Sequence, residues 1–246
     1  MDKTVAGLQE AVADIPDGAT VALGGFFSAG VPRALLQALI DRGTREPTLA
    51  CGAGPLLGAQ EQLEQLVANG QIRKVIDSYA LFRSASRGLQ HAFEQQVRAG
   101  RIELEIHPMG TLAEMYRAGG AGIEAFFVPT GAGSAVAESA LSNLPTSRHA
   151  REVREIGGRS CMLAYALRPD YALVHAHTGD TEGNLRYRKT ARNFNPVMAT
   201  AARVTVAEVE NLVEPGALDP DDVHTAGIFV QRVVAVERPA IELAAL

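Results

Sequence analysis

A glycine-rich turn is the first stretch of the chain whose residue types could do chemistry. Residues 24–32 read Gly-Gly-Phe-Phe-Ser-Ala-Gly-Val-Pro and lie between a predicted strand and a predicted helix. Because glycine has no side chain, the backbone amides of such a turn can approach a phosphate or an oxyanion closely. The spacing matches neither a dinucleotide-binding turn nor a P-loop, so we exclude both. From the residues alone, an anion site and a purely geometric turn both remain open.

A second glycine cluster occupies residues 119–122 and 129–134, and it includes Gly131, Gly133 and Ser134. Free backbone amides and hydroxyl groups on such a loop can bind an acyl or pantetheine group. A helix C-terminus followed by turns would use the same residues. The pattern alone does not decide between the two interpretations.

A third cluster, residues 183–196, concentrates four cations and three asparagines in an otherwise acidic chain. A solvated run of charge is the usual explanation for such a stretch. Asparagine suits specific hydrogen bonding, however, and Asn184, Asn193 and Asn195 are interleaved with the cations. We therefore favour a ligand-binding or interface role for this segment.

His175, His177 and Cys51 are candidates for metal binding or nucleophilic catalysis. The two histidines lie on one face of a predicted strand, which is a possible metal pair, but the sequence shows no third ligand nearby. We interpret them as structural histidines. No base is placed beside Cys51, so we interpret it as an inert core residue.

Short apolar runs alternate with amphipathic stretches, and this alternation predicts the elements that must position these residues. Pro32 and Gly43 are typical of the start and the end of a helix between them, and Thr111 and Glu114 have the spacing of a capping box that would begin another. Strands are predicted at residues 20–23, 48–50, 74–77, 102–106, 171–175, 203–206 and 229–234, and further helices at 60–68 and 88–99. The pattern predicts an α/β fold with an open, mostly parallel sheet and helices on both faces.

Residues 131–160 lack a clear period and contain several glycines and Pro145. We interpret them as an excursion with short strands rather than as a linker. No repeat or low-complexity tract is evident. We therefore predict one domain over residues 1–246.

Composition excludes several classes of protein. Of 246 residues, 47% are apolar and 21% are charged, which excludes wholesale disorder. The net charge is −5 and no basic run exceeds the pair Arg188-Lys189, so nucleic acid is not an expected partner. The chain has two cysteines, neither in a paired motif, which is typical of a protein from a reducing compartment. No segment approaches the roughly 18 uninterrupted apolar residues of a membrane span, and we expect a soluble cytoplasmic protein.

Four blocks of sequence occur together in a known order. Residues 17–32 give the first glycine turn, and residues 110–131 contain Gly-Thr-Leu-Ala-Glu, Arg-Ala-Gly-Gly-Ala-Gly and Pro-Thr-Gly. Residues 187–196 read Tyr-Arg-Lys-Thr-Ala-Arg-Asn-Phe-Asn-Pro, and residues 209–228 form a closing block. Together they resemble the α subunit of the family I coenzyme A transferases, of the 3-oxoacid or 3-oxoadipate type. The resemblance covers roughly residues 5–235.

The resemblance implies a sugar-isomerase-like CoA-transferase fold and an α subunit that pairs with a homologous β subunit. It implies that a β-subunit glutamate, in a Ser-Glu-Asn-Gly motif, attacks the acyl-CoA. That motif is absent from this sequence, so we expect no catalytic residue in the chain and no cofactor besides the CoA substrate. Alternatives are a subunit of an acyl-CoA hydrolase on the same scaffold and a non-catalytic subunit that binds CoA thioesters. The expected substrate-binding residues are Gly24, Gly25, Phe26, Gly30, Met109, Gly131, Gly133, Lys189 and Asn193.

Departures from the family pattern fall in stretches that border its acyl pocket. Pro-Arg-Ala at residues 32–34, Cys-Gly-Ala-Gly at 51–54 and Pro-Met-Gly at 108–110 replace stretches that usually carry an acid or amide groups. Arg33, Arg83 and Arg87 lie in or near the altered loops, and a guanidinium pairs well with a carboxylate. We expect one of them to bind the distal carboxylate of a dicarboxylic acyl group such as 3-oxoadipate; otherwise all three are ordinary surface arginines.

Overall fold

The computed structural model of the protein describes residues 1–79, 91–138, 142–147 and 150–237. The strands in these ranges are β1 (Thr20–Leu23), β2 (Thr48–Ala50), β3 (Lys74–Asp77), β4 (Glu103–Ile106), β5 (Ala125–Val128), β6 (Val153–Ile156), β7 (Arg159–Tyr165), β8 (Tyr171–Asp180), β9 (Leu185–Arg186), β10 (Val204–Val213) and β11 (Arg232–Ala235). The helices are α1 (Leu8–Ala11), α2 (Arg33–Arg42), α3 (Pro55–Gly58), α4 (Gln60–Ala68), α5 (Ala92–Arg98), α6 (Met109–Gly120), α7 (Ala135–Glu138) and α8 (Asn195–Ala201). Within the described ranges no helix is long and apolar enough to cross a membrane.

The main sheet contains eight of the described strands, and its order β11-β10-β8-β1-β2-β3-β4 is parallel throughout. β9 pairs antiparallel with β8 outside that order. The chain builds the sheet from β1 towards β4 and then returns to the other side of β1 with β8. The connections after β1 and β8 therefore diverge, and in open α/β sheets such a point leaves a crevice at the carboxyl ends of the strands.

The two faces of the sheet bury different kinds of side chain, as a period of two requires. One face presents larger residues such as Val21, Leu23 and Leu173 to α1, α2, α4 and α5. The other face presents Ala22 and Ala172, with further alanines on β2, β8 and β10, to α6 and α8. The predicted parallel sheet with helices on both faces is confirmed. The small residues on the second face leave room for α8 to pack closely against it.

Helix α2 follows the glycine turn at the end of β1. Pro32 is its N-cap residue, and Gly43 ends it in the left-handed conformation at φ 76°. Leu35, Leu36 and Leu39 are fully buried on its sheet-facing side. The predicted punctuation by proline and glycine is confirmed, with the helix beginning one residue after the proline.

Several sequence-based boundaries differ from the structure. Helix α6 begins at Met109 behind Pro108, and Leu112 donates a hydrogen bond to the Pro108 carbonyl, so the predicted capping box at Thr111 is wrong. Thr111 lies inside the helix, and its buried hydroxyl has no hydrogen-bond partner among the described residues. Gly227–Phe229 is a 3-10 turn, so the last strand begins at Arg232 instead of 229. The helix predicted at 88–99 is α5, which begins at Ala92; residues 80–90 lie outside the described ranges.

The irregular middle of the chain contains short strands, as predicted. β5, β7 and β6 form an antiparallel sheet of their own. Residues 142–147 then cover the outer edge of β4. The Asn143 side chain accepts a hydrogen bond from the Leu104 amide at 2.7 Å and donates to the carbonyls of Val97 and Ile102 at 2.7 and 3.0 Å. This pairing satisfies backbone groups that an edge strand would otherwise leave open.

Candidate active site

The glycine turn after β1 folds back on itself at the divergence point of the sheet. Phe26 and Ala29 exchange two backbone hydrogen bonds of 3.0 Å, and Gly24 donates one to the Leu173 carbonyl on β8 at 3.0 Å. Gly25 has φ 111°, and a Cβ there would lie 2.7 Å from the Val31 side chain. Only glycine tolerates both this positive φ and the lack of space for a Cβ, so the turn requires glycine at residue 25.

Asn195, the first residue of α8, connects three segments that meet at this turn. Its amide is fully buried. The side-chain oxygen accepts a hydrogen bond from the His175 amide at 3.1 Å. The side-chain nitrogen donates to the carbonyls of Gly30 and Ala191 at 3.0 and 2.8 Å. One side chain therefore connects β8, the glycine turn and the 3-10 turn Lys189–Arg192 and fixes their relative positions.

The glycines of the turn are required by the position of this amide. A Cβ on Gly24 would lie 1.9 Å from Asn195 Oδ1, and a Cβ on Gly30 would lie 2.8 Å from Asn195 Nδ2. Asn193 adds a hydrogen bond of 3.0 Å to the Ala29 carbonyl. Phe194 packs on Gly52 behind β2, where a Cβ would lie 2.4 Å from its ring. The third sequence cluster thus packs directly against the first.

A cleft of about 180 Å³ opens beside these contacts, at the carboxyl ends of β1 and β8. Arg33, Arg188 and Lys189 face it, and in the described ranges none of them has a carboxylate within 4.0 Å. Lys189 has φ 52°, which is uncommon for a residue with a side chain. The complete lining is Ser28, Ala29, Gly30, Val31, Arg33, His175, His177, Arg188, Lys189, Thr190, Ala191 and Glu210. Three cations without carboxylate partners suit this cleft to an anionic ligand.

His175 lies between two carboxylates at the base of the cleft. Its Nδ1 is 2.8 Å from Glu208 Oε1 and its Nε2 is 3.2 Å from Glu210 Oε1. Glu208 is completely buried, and its other oxygen accepts a hydrogen bond of 2.9 Å from the Leu35 amide in the first turn of α2. Burial opposes a charged imidazole, but the hydrogen bonds and charges of Glu208 and Glu210 raise the pKa of His175 above its ordinary value.

His175 and Cys51 are buried, whereas His177 is partly exposed on the same strand as His175. His175 is buried and fully hydrogen bonded. Among the described residues there is no cluster of metal-ligating side chains, so the pair has no third ligand there. Cys51 is buried, and burial raises the pKa of its thiol, as expected of an inert core residue. Both histidines nevertheless line the cleft, which the sequence analysis did not predict.

A carboxylate also organises the neighbouring loop, behind β2 and β3. Asp77 is almost fully buried, and its oxygens accept hydrogen bonds from the amides of Gly54, Ser78 and Tyr79. Burial raises the pKa of Asp77 to about 6, although these amide bonds favour the charged form. Ser78 donates to the Gly52 carbonyl at 2.5 Å. The loop that carries Gly52 and Gly54 is thereby held at the same edge of the sheet as the glycine turn.

Aromatic side chains border the glycine turn on its outer side. The rings of Phe26 and Phe27 are 5.4 Å apart, and those of Phe27 and Tyr79 are also 5.4 Å apart. Each of the three side chains is more than one third exposed. Phe27 has φ 46°, and its carbonyl lies 2.0 Å from where a Gly58 Cβ would be. The turn therefore presents an apolar surface next to a cationic cleft.

Comparison with known proteins decides the family. The sequence model described as coenzyme A transferase matches residues 5–236. The chain is a member of the coenzyme A transferase family. The A subunit of a probable succinyl-CoA:3-ketoacid coenzyme A transferase from Mycobacterium tuberculosis (strain ATCC 25618 / H37Rv) is 44% identical, over 98% of this chain and 96% of that protein. The A subunit of the 3-oxoadipate CoA-transferase of Pseudomonas putida is also 44% identical, over 98% and 96%.

A solved structure extends the comparison to the fold. The acyl-CoA transferase apoenzyme of Escherichia coli O157:H7 superposes with a TM-score of 0.80 at 20% identity. The match covers 96% of this chain and 47% of that one. At this identity the likeness concerns the fold alone, and it agrees with the α/β architecture described above. The CoA-transferase fold implied by the sequence resemblance is therefore confirmed.

The structure brings most of the predicted site residues of this coenzyme A transferase together. Gly30, Arg33 and Lys189 line the cleft, and Asn193 donates a hydrogen bond to the carbonyl of Ala29, another lining residue. Gly24, Gly25 and Phe26 form the turn beside it. Met109 begins α6 beyond β4, and Gly131 and Gly133 lie in the turn after β5; these three do not line this cleft. Arg83 and Arg87 lie outside the described residues. The substrate-binding roles of all these residues remain predictions.

Several residues of the cleft were missed by the sequence analysis. His175 and His177 on β8, and Glu208 and Glu210 on β10, are each two residues apart. In the parallel register Glu208 pairs with His175, so the two alternating pairs lie side by side. The signal was present as His-x-His and Glu-x-Glu at or just beyond the ends of the strands predicted at 171–175 and 203–206. Had those strands been extended, a period of two would have placed each pair on one face.

Steric coupling between residue 24 and Asn195 can be measured with a double-mutant cycle. Gly24→Ala places a methyl group against Asn195 Oδ1 and should lower the free energy of unfolding by about 3 kcal/mol. In an Asn195→Ala background the obstructing amide is gone, so the same change should cost less than about 1 kcal/mol. Urea unfolding of the four proteins gives both numbers.

Gly110→Ala is the matched control, because a Cβ at residue 110 in α6 would meet nothing within 4 Å. It should be neutral or slightly stabilising, since alanine favours a helix over glycine. An equal cost of Gly24→Ala in both backgrounds would show that Asn195 does not impose the glycine.

Proposed function

We propose that this chain is the α subunit of a heteromeric CoA-transferase that moves CoA between an acyl-CoA and a carboxylic acid of the 3-oxoacid class. The observation that carries the proposal is the 44% identity to the corresponding subunits of two transferases of that specificity, over nearly the whole of both chains. The cleft supports it, because acyl-CoA and carboxylic acids are both anions and three cations face the cleft without carboxylate partners within the described ranges.

The nucleophile is proposed to come from the partner subunit. A carboxylate that attacks a thioester must be accessible and not already paired with a cation. Glu208 is completely buried, and Glu208 and Glu210 both bind His175, so neither carboxylate of this cleft is suited to attack. The sequence also lacks the Ser-Glu-Asn-Gly motif that its family resemblance leads us to expect in the β subunit.

The proposed reaction splits one exchange into easier steps. The partner's glutamate attacks the thioester carbonyl, and the CoA thiolate leaves to give an acyl-glutamyl anhydride. The thiolate then attacks the glutamyl carbonyl, which releases the first acid and forms a glutamyl-CoA thioester. A second carboxylate collects CoA by the reverse steps. No resident cofactor is needed, because CoA is itself a substrate, and covalent catalysis of this kind needs only oriented groups and stabilised oxyanions.

In this reaction the residues of the chain bind and orient. The guanidinium group of Arg188 and the ammonium group of Lys189, which have no carboxylate within 4.0 Å in the described ranges, would hold anionic groups of the substrates at the cleft. The rings of Phe26 and Phe27 would cover the apolar part of a bound acyl group and exclude water from the thioester. Water exclusion is what separates a transferase from a hydrolase on this scaffold.

Of the three arginines expected to bind a distal carboxylate, Arg33 is the one that lies in the described ranges. Its Nη2 donates to the Gly58 carbonyl at 2.5 Å, and in the described ranges its Nη1 and Nε groups have no acceptor. Burial lowers the pKa of Arg33 and the Glu208 charge opposes that change, so the side chain remains a cation at neutral pH. A planar guanidinium held from one side can present its other donors to a carboxylate.

Activity should require both chains. The chain and a partner that co-purifies with it in its native cells should together transfer CoA from succinyl-CoA to acetoacetate or 3-oxoadipate, whereas either chain alone should not. The assay follows acyl-CoA products by chromatography. Release of free CoA without an acceptor would indicate a hydrolase, and binding of acyl-CoA without turnover would indicate a non-catalytic subunit; either result would contradict the proposal.

Arg33→Ala should separate dicarboxylic from monocarboxylic substrates. In the complex, the KM for 3-oxoadipate should rise about tenfold or more, because a charged hydrogen-bond partner is lost. The KM for acetoacetate, which lacks the distal carboxylate, should change less than about threefold. Thr190→Ala is the matched control, since it also lines the cleft but carries no charge. An equal rise in both KM values would show that Arg33 holds the loop around Gly58 and does not bind the distal carboxylate.

A further inference from the structure

The geometry around His175 favours a doubly protonated ring. A neutral imidazole has one N–H donor and one lone pair. Here Nδ1 and Nε2 both face carboxylate oxygens, of Glu208 at 2.8 Å and of Glu210 at 3.2 Å. A neutral ring between two ionised carboxylates would direct a lone pair at one of them. With both glutamates ionised, the imidazolium donates to each.

The same residue is tied to each wall of the cleft. Its backbone amide donates to Asn195 Oδ1, and Asn195 in turn holds Gly30 and Ala191. Through Glu208 it is tied to the Leu35 amide at the amino end of α2. The imidazole therefore lies where β8, β10, α2 and the glycine turn meet.

No other described cation can take its place. The charged and titratable groups that face it are Glu208 and Glu210 on β10, His177 on β8, Arg33 on α2, and Arg188 and Lys189 in the turn before α8. In the described ranges, His175 is the ion-pair partner within 4.0 Å of both glutamates, and none of the other cations is that close. Loss of its proton would leave two neighbouring carboxylates, one of them completely buried, with no cation within 4.0 Å in the described ranges; the more distant Arg33 would still interact with Glu208.

We propose that His175 is a positioning residue that, as an imidazolium, holds Glu208 and Glu210 and, through Glu208, the amino end of α2 in the arrangement that accepts the anionic substrates, and that releases this arrangement when it loses its proton. The proposal rests on the CoA-transferase function proposed above. The released state presents one more uncompensated negative charge to the cleft, and it loosens the contact between β10 and α2. Both effects oppose the binding of an acyl-CoA.

The direction of the pH dependence follows from linkage. The partners of His175 raise its pKa in the folded protein above the ordinary value of about 6.5. The stabilisation is therefore fully present below about pH 6.5, and it is lost as the pH rises through the folded-state value. The alkaline side of the activity profile should report this loss.

The test compares pH profiles of kcat/KM for CoA transfer by the complex in wild type, His175→Lys and His175→Gln. Wild-type activity should fall about tenfold per pH unit above the His175 transition, as the protonated fraction does. His175→Lys keeps a cation there to higher pH and should vary less than about threefold over the same range. His175→Gln should be reduced about tenfold or more and should not show the transition. His107→Gln is the matched control, because His107 is also a buried histidine bound to a glutamate, but it lies directly after β4; it should keep the wild-type transition.

An alkaline fall that is unchanged in His175→Lys, or a fully active His175→Gln, would overturn the proposal. If the variants do not fold, NMR titration of the wild-type chain decides it: the His175 ring should titrate above pH 6.5, and the Leu35 amide signal, whose proton Glu208 accepts, should move with it. An ordinary or lowered His175 value, or a Leu35 signal that does not follow it, would also overturn the proposal. If the wild-type complex transfers no CoA, the proposed function fails, and this titration still decides the role of His175.

Discussion

The buried amide of Asn195 is the contact on which the geometry of the cleft depends. Its three hydrogen bonds reach β8, the glycine turn and the turn before α8, which are separated by up to 165 residues in sequence. No room remains for a side chain at residues 24 or 30 once this amide is in place. The bond to the His175 amide satisfies a buried backbone group, and the other two satisfy partly buried carbonyls, so the Asn195 side chain favours this arrangement of the three segments.

The sheet explains why that arrangement produces a site. The connection after β1 leads to β2 on one side, and the connection after β8 leads through β9 to β10 on the other side. The two connections therefore separate beyond the carboxyl ends of β1 and β8. Small residues on one face of the sheet allow α8 to approach, and its first residue then closes the space between the connections. The cleft combines cations that have no carboxylate partner among the described residues with two carboxylates at its base that are paired with His175. Such a distribution attracts anions while keeping its own acids from reacting.

Those features of the fold that depend on a single strand or helix could be predicted from the sequence. Short apolar runs alternating with amphipathic stretches predicted the sheet, and Pro32 and Gly43 predicted α2. The helix α6 was misjudged at its start, because Pro108 provides the N-cap and the Thr111 hydroxyl is turned into the core.

The site depends on pairings between distant elements, and these are harder to predict. The link between Asn195 and the glycines 24 and 30 requires knowledge of which turn packs on which strand, and a single sequence does not contain it. His175 was interpreted from its own strand alone. Its role depends on Glu208 and Glu210, which only the register of β8 against β10 places beside it. Local patterns specify elements, whereas a site made from several elements is specified by packing.

The central claim is that this chain shapes and charges the cleft while its partner supplies the nucleophile. It is tested most directly by incubating the complex with acyl-CoA, trapping the covalent intermediate and locating it by mass spectrometry of the separated subunits. The account predicts CoA bound through a thioester to a glutamate of the partner, with this chain unmodified. A covalent adduct on Glu210 or any other residue of this chain would contradict it.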